Sequence, residues 1–347
     1  MRITLIILGI FAVLLIALRI YLPFFIENQI NKNINEMEGF SGKVENVSLR
    51  LLGGNIRISD ITIYDEEYPD PSIPFLSISR TGISVDWGPL FSREFVATID
   101  IDSLVVNYVI YEEVEPEEID LVAELQELMD FQIHINITNS TINFVDLTAD
   151  PNIDISFTDF FLDARYIANE VLVNDTLPAS INIAAKAMGT GSVETSIRIN
   201  YMKEIPDFDF ELEIEGVDIT DFNDFLEAYG GFEAHQGLLY VYTEAAANDG
   251  EIIGYVKPVL DEIEITPTDD DEGLFQQFYE SVLDIVASVL ESPDEEEHIS
   301  TRVEFEGRID DPEVGVLQAI WNLLRNAFVE GFSKGLEGVI DFEDLVE

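Results

Sequence analysis

The chain contains no cysteine, and only six lysines and three histidines among 347 residues. Without cysteine there is no disulfide framework, no thiolate nucleophile and no cysteine-based zinc site. The absence leaves the compartment open, since oxidising compartments do not oblige a protein to use cysteine. Lys plus Arg number 17 against 69 Asp plus Glu, a formal net charge of −52. A chain so poor in cations is unsuited to nucleic acid, whose binding rests on basic contacts to phosphate. It is equally unsuited to electrostatic docking on anionic lipid heads. Self-repulsion between so many carboxylates is screened by salt, which fits a salty, halophilic habitat as well as a merely acidic solubilising surface.

Catalytic patterns are missing too. His134, His235 and His298 are far apart, and none stands in a His-x-x-x-His or beside other metal ligands. There is no Gly-x-Ser-x-Gly elbow, P-loop or dinucleotide fingerprint. The acidic run Asp269–Glu272 lacks the spacing and the distal Glu of a calcium loop, and reads as a solvated loop. No catalytic residue, metal ligand or cofactor is assigned, and the chain is not read as an enzyme.

What the chain does have is strands with one oily face. Residues 207–215 read Asp-Phe-Asp-Phe-Glu-Leu-Glu-Ile-Glu. Alternate side chains of a strand point to opposite faces. Phe208, Phe210, Leu212 and Ile214 therefore share one face, and a row of carboxylates takes the other. Such a strand suits a sandwich core or the wall of an apolar trough. Similar period-two stretches are Val44–Leu51, Asn55–Tyr64, Pro74–Ser79, Gly82–Trp87, Phe95–Tyr111, Phe131–Phe144 and Ile153–Ala164. Later come Ala179–Ala187, Ser192–Met202, Phe208–Val217, Gly237–Ala246, Gly250–Val259 and Ile299–Ile309. Turn signals such as Gly53-Gly54, Gly88-Pro89 and Asp150-Pro151 separate them. Strands joined by short turns, without crossover helices between them, predict a long antiparallel meander. About a dozen strands at ~4.8 Å spacing give a sheet roughly 60 Å long.

The N-terminus carries a different signal. Ile3–Leu18 is an uncharged run of 16 residues. A helix from Ile3 to about Leu22 is long enough to span a bilayer. Arg19 would snorkel to the interface, with Tyr21, Phe24 and Phe25 in the aromatic belt and Pro23 at the helix exit. The rival is a cleaved signal peptide, but the residues after Ala17 supply no small-x-small cleavage site. Residues 1–26 are thus read as a transmembrane anchor.

Further helices are expected at Glu27–Glu38, Ile119–Met129, Asp221–Tyr229 and Gly273–Ser292, and from Glu313 to Val339. The last has an apolar surface including Trp321, Leu324, Phe328 and Phe332, and reads as a cap on the sheet or a lid over the trough. Arg325, Glu330, Lys334 and Glu337 argue against a second membrane span. The resulting division is anchor 1–26, β region 27–268 and a C-terminal region 269–347 of amphipathic helix, closing strand and final helix.

Three stretches carry a family likeness. The first runs from Leu22-Pro-Phe-Phe-Ile-Glu-Asn-Gln-Ile-Asn-Lys32 through Ser41–Asp65, Phe75–Ser79 and Trp87-Gly-Pro-Leu-Phe91 to Ile101–Val109. The second is Phe222–Ile265, with Phe225-Leu-Glu-Ala-Tyr-Gly-Gly-Phe232, and the third is Thr301–Phe332. Together they resemble the AsmA-like proteins, which are anchored in the inner membrane of two-membrane bacteria. The resemblance implies a single-pass anchor and a periplasmic, curved, open antiparallel β groove with an apolar inside. It also implies a role in envelope lipid homeostasis or outer-membrane assembly. It brings no catalytic residues.

Alternation supplies the candidate groove lining: Val96, Leu104, Val106, Tyr108, Ile110, Phe208, Phe210, Leu212, Ile214, Val303 and Phe305. The expected partners are the inner membrane, a phospholipid or other acyl-chain lipid, and other envelope proteins. A tethered, non-catalytic scaffold is the competing reading.

Overall fold

The structure, a computed structural model, describes residues 19–50, 53–68, 70–111, 130–169, 176–203, 205–230, 232–267, 298–300 and 302–308. The chain packs as two compact units. One comprises Met1–Tyr111, Asp120–Val145 and Phe157–Val171, the other Glu112–Ile119, Asp146–Ser156 and Leu172–Glu347. Both are mainly β. Among the described residues the strands belong to an open, mixed sheet whose hydrogen-bonded order follows the chain and whose first and last strands do not pair.

The first unit holds β1 (Phe40–Arg50), β2 (Asn55–Asp65), β3 (Leu76–Val85), β4 (Phe95–Ile110), β5 (Phe131–Asp146) and most of β6 (Ile153–Ala168). β1 to β4 pair antiparallel in succession. Pro74–Ser79 and Gly82–Trp87, read from sequence as two strands, are one continuous β3 followed by a one-turn helix, Trp87–Leu90, capped by Asp86.

The next pairing departs from the expected meander. Phe95 N donates to Asp130 O (2.7 Å) and Leu104 N to Ser140 Oγ (3.0 Å). Asn136, Asn139 and Asn143 reach Asp100, Asp102 and Asn107 in the same order. Partner numbers rise together, so β4 and β5 run parallel. A parallel neighbour needs a long crossover rather than a tight hairpin. The intervening residues 112–129, including the expected helix Ile119–Met129, lie outside the described residues. The side-chain amides form a ladder along the polar face of this pair.

A second feature changes which residues face together. Asp60, Ser103, Asn139 and Asp159, in β2, β4, β5 and β6, have φ of 56°, 59°, 52° and 50°. A left-handed residue inside a strand acts as a bulge and shifts the alternation by one. In β2 the buried cluster takes Ile56 and Ile58 before Asp60, then Ile61 and Ile63 after it. β3 shifts in step, since Ile61 opposes Ile78 while Ile58 opposes Thr81. Asp and Asn tolerate this conformation better than other side chains.

A helix over residues 19–34, α1, packs Ile30 and Ile34 onto that cluster. Two asparagines one turn apart bind the edge of β1. Asn31 accepts from Val44 N (2.6 Å) and donates to Val44 O (3.3 Å). Asn35 accepts from Gly42 N (3.4 Å) and donates to Gly42 O (3.1 Å). Carboxamides thus stand in for a neighbouring strand along part of an otherwise open edge. Among the described residues no helix is long and apolar enough to cross a membrane, and Ile3–Leu18 lies outside them.

The second unit holds the first four residues of β6, β7 (Ala179–Ala187), β8 (Gly191–Asn200), β9 (Asp207–Asp218), β10 (Phe232–Asn248), β11 (Glu251–Pro267), β12 (His298–Ser300) and β13 (Val303–Arg308). β7 to β11 are antiparallel. The β10–β11 hairpin closes through Asp249-Gly250, with φ of 48° and 84°, the left-handed pair of a type I′ turn. β12 and β13 pair with successive stretches of the same edge of β11 in one register, so thirteen segments fill twelve strand positions. A 3-10 turn, Ile219–Phe222, and α3, Asn223–Gly230, with Trp87–Leu90 as α2, complete the described helices. The amphipathic stretch Gly273–Ser292 and the C-terminal helix lie outside the described residues.

Candidate functional site

The two faces expected of β9 extend across its neighbours. Phe208, Phe210, Leu212 and Ile214 stand opposite Ile199, Ile197, Thr195 and Val193 of β8. On the other side they meet Ala247, Ala245, Thr243 and Val241 of β10. Ile252, Gly254, Val256 and Pro258 continue the face on β11, and Phe305 of β13 opposes Gly254. Val303 pairs with Val256 in the same register. The only polar side chains in these rows are two threonines.

The face is sealed unevenly. Phe208 (5%), Val241 (5%), Ile252 (1%) and Val256 (2%) are buried, with Ile199, Phe210 and Phe305 packed around them. Phe210, Leu212 and Ile214 are only half-buried, as are Ile181, Ile183 and Ile197 on the preceding strands. Apolar surface left in water costs about 25 cal/mol per Å², so a contiguous partly open face is a place where another apolar group gains.

The opposite face carries like charges in direct opposition. Glu194 faces Glu213, and Glu211 faces Glu244. Tyrosines mediate part of the crowding: Tyr242 donates to Glu215 (3.0 Å) and Tyr255 to Glu244 (2.7 Å), while Arg302 lies 4.1 Å from the Tyr255 ring centroid. Burial, then the Glu215 bond, pushes the Tyr242 hydroxyl up. At the β8–β9 corner Lys203 bridges Asp207 (2.6 Å) and Asp249, and these hydrogen bonds raise its pKa.

In the first unit, β4 does not present all five candidates together. Leu104 opposes Ile78 and Val106 opposes Leu76, both on the apolar face. Tyr108 stacks on Phe144 with centroids 6.0 Å apart. Ile110 shares their parity. Val96 falls on the other side, because Ser103 shifts the alternation and it is Ala97, opposite Val85, that belongs to the apolar face. The strand read as one period has two.

Arg19, Tyr21, Phe24 and Phe25 lie on α1. Tyr21 and Phe25 stack at 6.3 Å, and Tyr21 (68%), Phe24 (64%) and Phe25 (51%) are exposed. Trp321, Leu324, Phe328 and Phe332 lie outside the described residues.

The histidines do not converge. His134 Nε2 lies 3.0 Å from Asp163, which also accepts from Arg165 Nε at 2.6 Å, and His235 lies 2.8 Å from Thr266 Oγ1. The Arg165 bond, then His134, holds the Asp163 carboxyl below the usual carboxylate range against the opposing effect of burial. Among the described residues no cluster of three His, Asp or Glu side chains is placed to hold a metal.

No family model matches the chain, and no curated protein matches it.

Proposed function

We propose that this is an AsmA-like, membrane-anchored envelope protein whose apolar sheet face holds lipid acyl chains. In this reading the N-terminal apolar run fixes the chain in an inner membrane, the bulk lies in the periplasm, and the sheet curves into a groove. Its contribution is to envelope lipid homeostasis or outer-membrane assembly. No chemistry is required of the protein; it shelters chains from water. The observation that carries the reading is the contiguous apolar face of β7 to β11, only half-buried at Phe210, Leu212 and Ile197. Exposed aromatic residues on α1 beside the apolar run fit the anchoring part. The test is mass spectrometry of what co-purifies with the full chain from envelope membranes, exchanged into a detergent that carries no acyl chain. Stoichiometric acyl-chain lipid surviving exchange supports the groove. A stable, lipid-free protein contradicts it.

That second outcome favours a tethered scaffold that contacts other envelope proteins. Its motive is the tight packing around Phe208, Ile252 and Val256, where the sheet seals against its own side chains.

A further inference from the structure

Where β2, the β2–β3 loop and β4 meet, the first unit holds a cavity of about 180 Å³ lined by Phe40, Asp65, Tyr68, Phe75 and Tyr108 among others. We infer that this pocket binds a quaternary ammonium group, such as the trimethylammonium of a choline-type headgroup or of a free betaine-type solute.

Four aromatic rings line one small space. Phe40 and Phe75 are 5.4 Å apart and tilted, and Tyr68 leans on Tyr111 at 5.7 Å. Aromatic faces attract a cation placed over them, and cages of such rings suit quaternary ammonium. The single carboxylate stands where the pattern of β2 calls for an oily residue. Ile61 and Ile63 precede it on the apolar face, and Asp65 opposes Phe40. Its oxygens accept from Tyr111 Oη (3.1 Å) and Glu67 N (2.9 Å), both neutral donors. Among the described residues Asp65 forms no salt bridge, and it lines the cavity.

The rim is held in place by Asn107, whose Nδ2 donates to Pro74 O and whose N donates to Phe75 O, each at 2.8 Å. A quaternary ammonium, which needs no acceptor, gains the rings and the field of Asp65. Although Tyr108 also belongs to the apolar face of β4, the inference does not rest on acyl chains being bound anywhere.

The experiment is a titration of the full chain with choline and with its neutral isostere 3,3-dimethyl-1-butanol, read by saturation-transfer NMR. Choline should bind roughly tenfold tighter or more. Asp65→Asn should weaken choline several-fold without weakening the isostere. Tyr108→Leu, at a half-exposed position, should weaken choline several-fold. Dihexanoylphosphatidylcholine then separates the sources: tighter binding than choline indicates a headgroup, equal binding a free solute, and both support the site. Equal affinity for choline and isostere, no binding of either, or choline binding indifferent to both substitutions would overturn it.

Discussion

Phe305 lies against Gly254, the residue opposite it on β11: a Cβ at Gly254 would stand 2.5 Å from the backbone Glu244 O, 2.6 Å from Phe305 Cζ and 3.0 Å from Ala245 Cα. In register the row reads Phe210, Ala245, Gly254, Phe305, two rings flanking the two smallest side chains. Small residues at the centre let the rings settle onto the sheet. Gly254→Ala should therefore overpack the face and cost about 1–3 kcal/mol in denaturant unfolding. In a Phe305→Leu background part of that cost should disappear. Equal costs in both backgrounds would show that the ring is not what Gly254 accommodates.

The asparagine clip on β1 predicts a local effect. Asn31→Ala removes both hydrogen bonds to Val44, each worth about 0.5–1.5 kcal/mol. Amide exchange at Val44 should accelerate. Asn35→Ala, whose bonds to Gly42 are more exposed, should have the smaller effect.

Acid should loosen the first unit through Asp163. Its carboxyl is held below the ordinary value by Arg165 and His134. A depressed carboxylate stabilises fully above the unfolded value of about 4 and loses that contribution as pH falls through the lower folded value. Asp163→Asn should lower stability at neutral pH and flatten the loss below about pH 4. Unchanged acid unfolding in this variant would remove Asp163 as its source.

Salt should act on the acidic face. Glu194 opposite Glu213 and Glu211 opposite Glu244 are like-charge cross-strand pairs, which are destabilising. Glu213→Gln should raise the melting temperature in dilute buffer. The gain should vanish near 1 M salt, where the screening length is about 3 Å.

How much of this was legible depends on phase. β9 keeps a single alternation from Asp207 to Glu215, and its two faces, as well as their polarity, follow from the residues alone. β7, Ala179–Ala187, ends where the pattern ends. β3 misled the reading because its alternation slips at Ser79, and one strand looked like two. Val96 misled it for the same reason at Ser103, although Asp60, Asn139 and Asp159 offered a sign: an Asp or Asn between two apolar runs of opposite parity. The parallel pairing of β4 and β5 hides in a crossover whose length alone hinted at it. The clip of Asn31 and Asn35 on Val44 and Gly42 joins residues brought together only by the turn after α1. The pocket at Asp65 showed one local clue, a carboxylate on an otherwise apolar face.

The central claim is that the apolar face of the second unit meets acyl chains while its acidic face meets water. Leu212 and Glu213 are sequence neighbours on opposite faces of β9. A photo-crosslinking amino acid placed at each in turn, irradiated in intact envelopes, tests the claim most directly. The account predicts lipid adducts at Leu212 and none at Glu213. Protein adducts alone at Leu212, or lipid adducts at both positions, would contradict it.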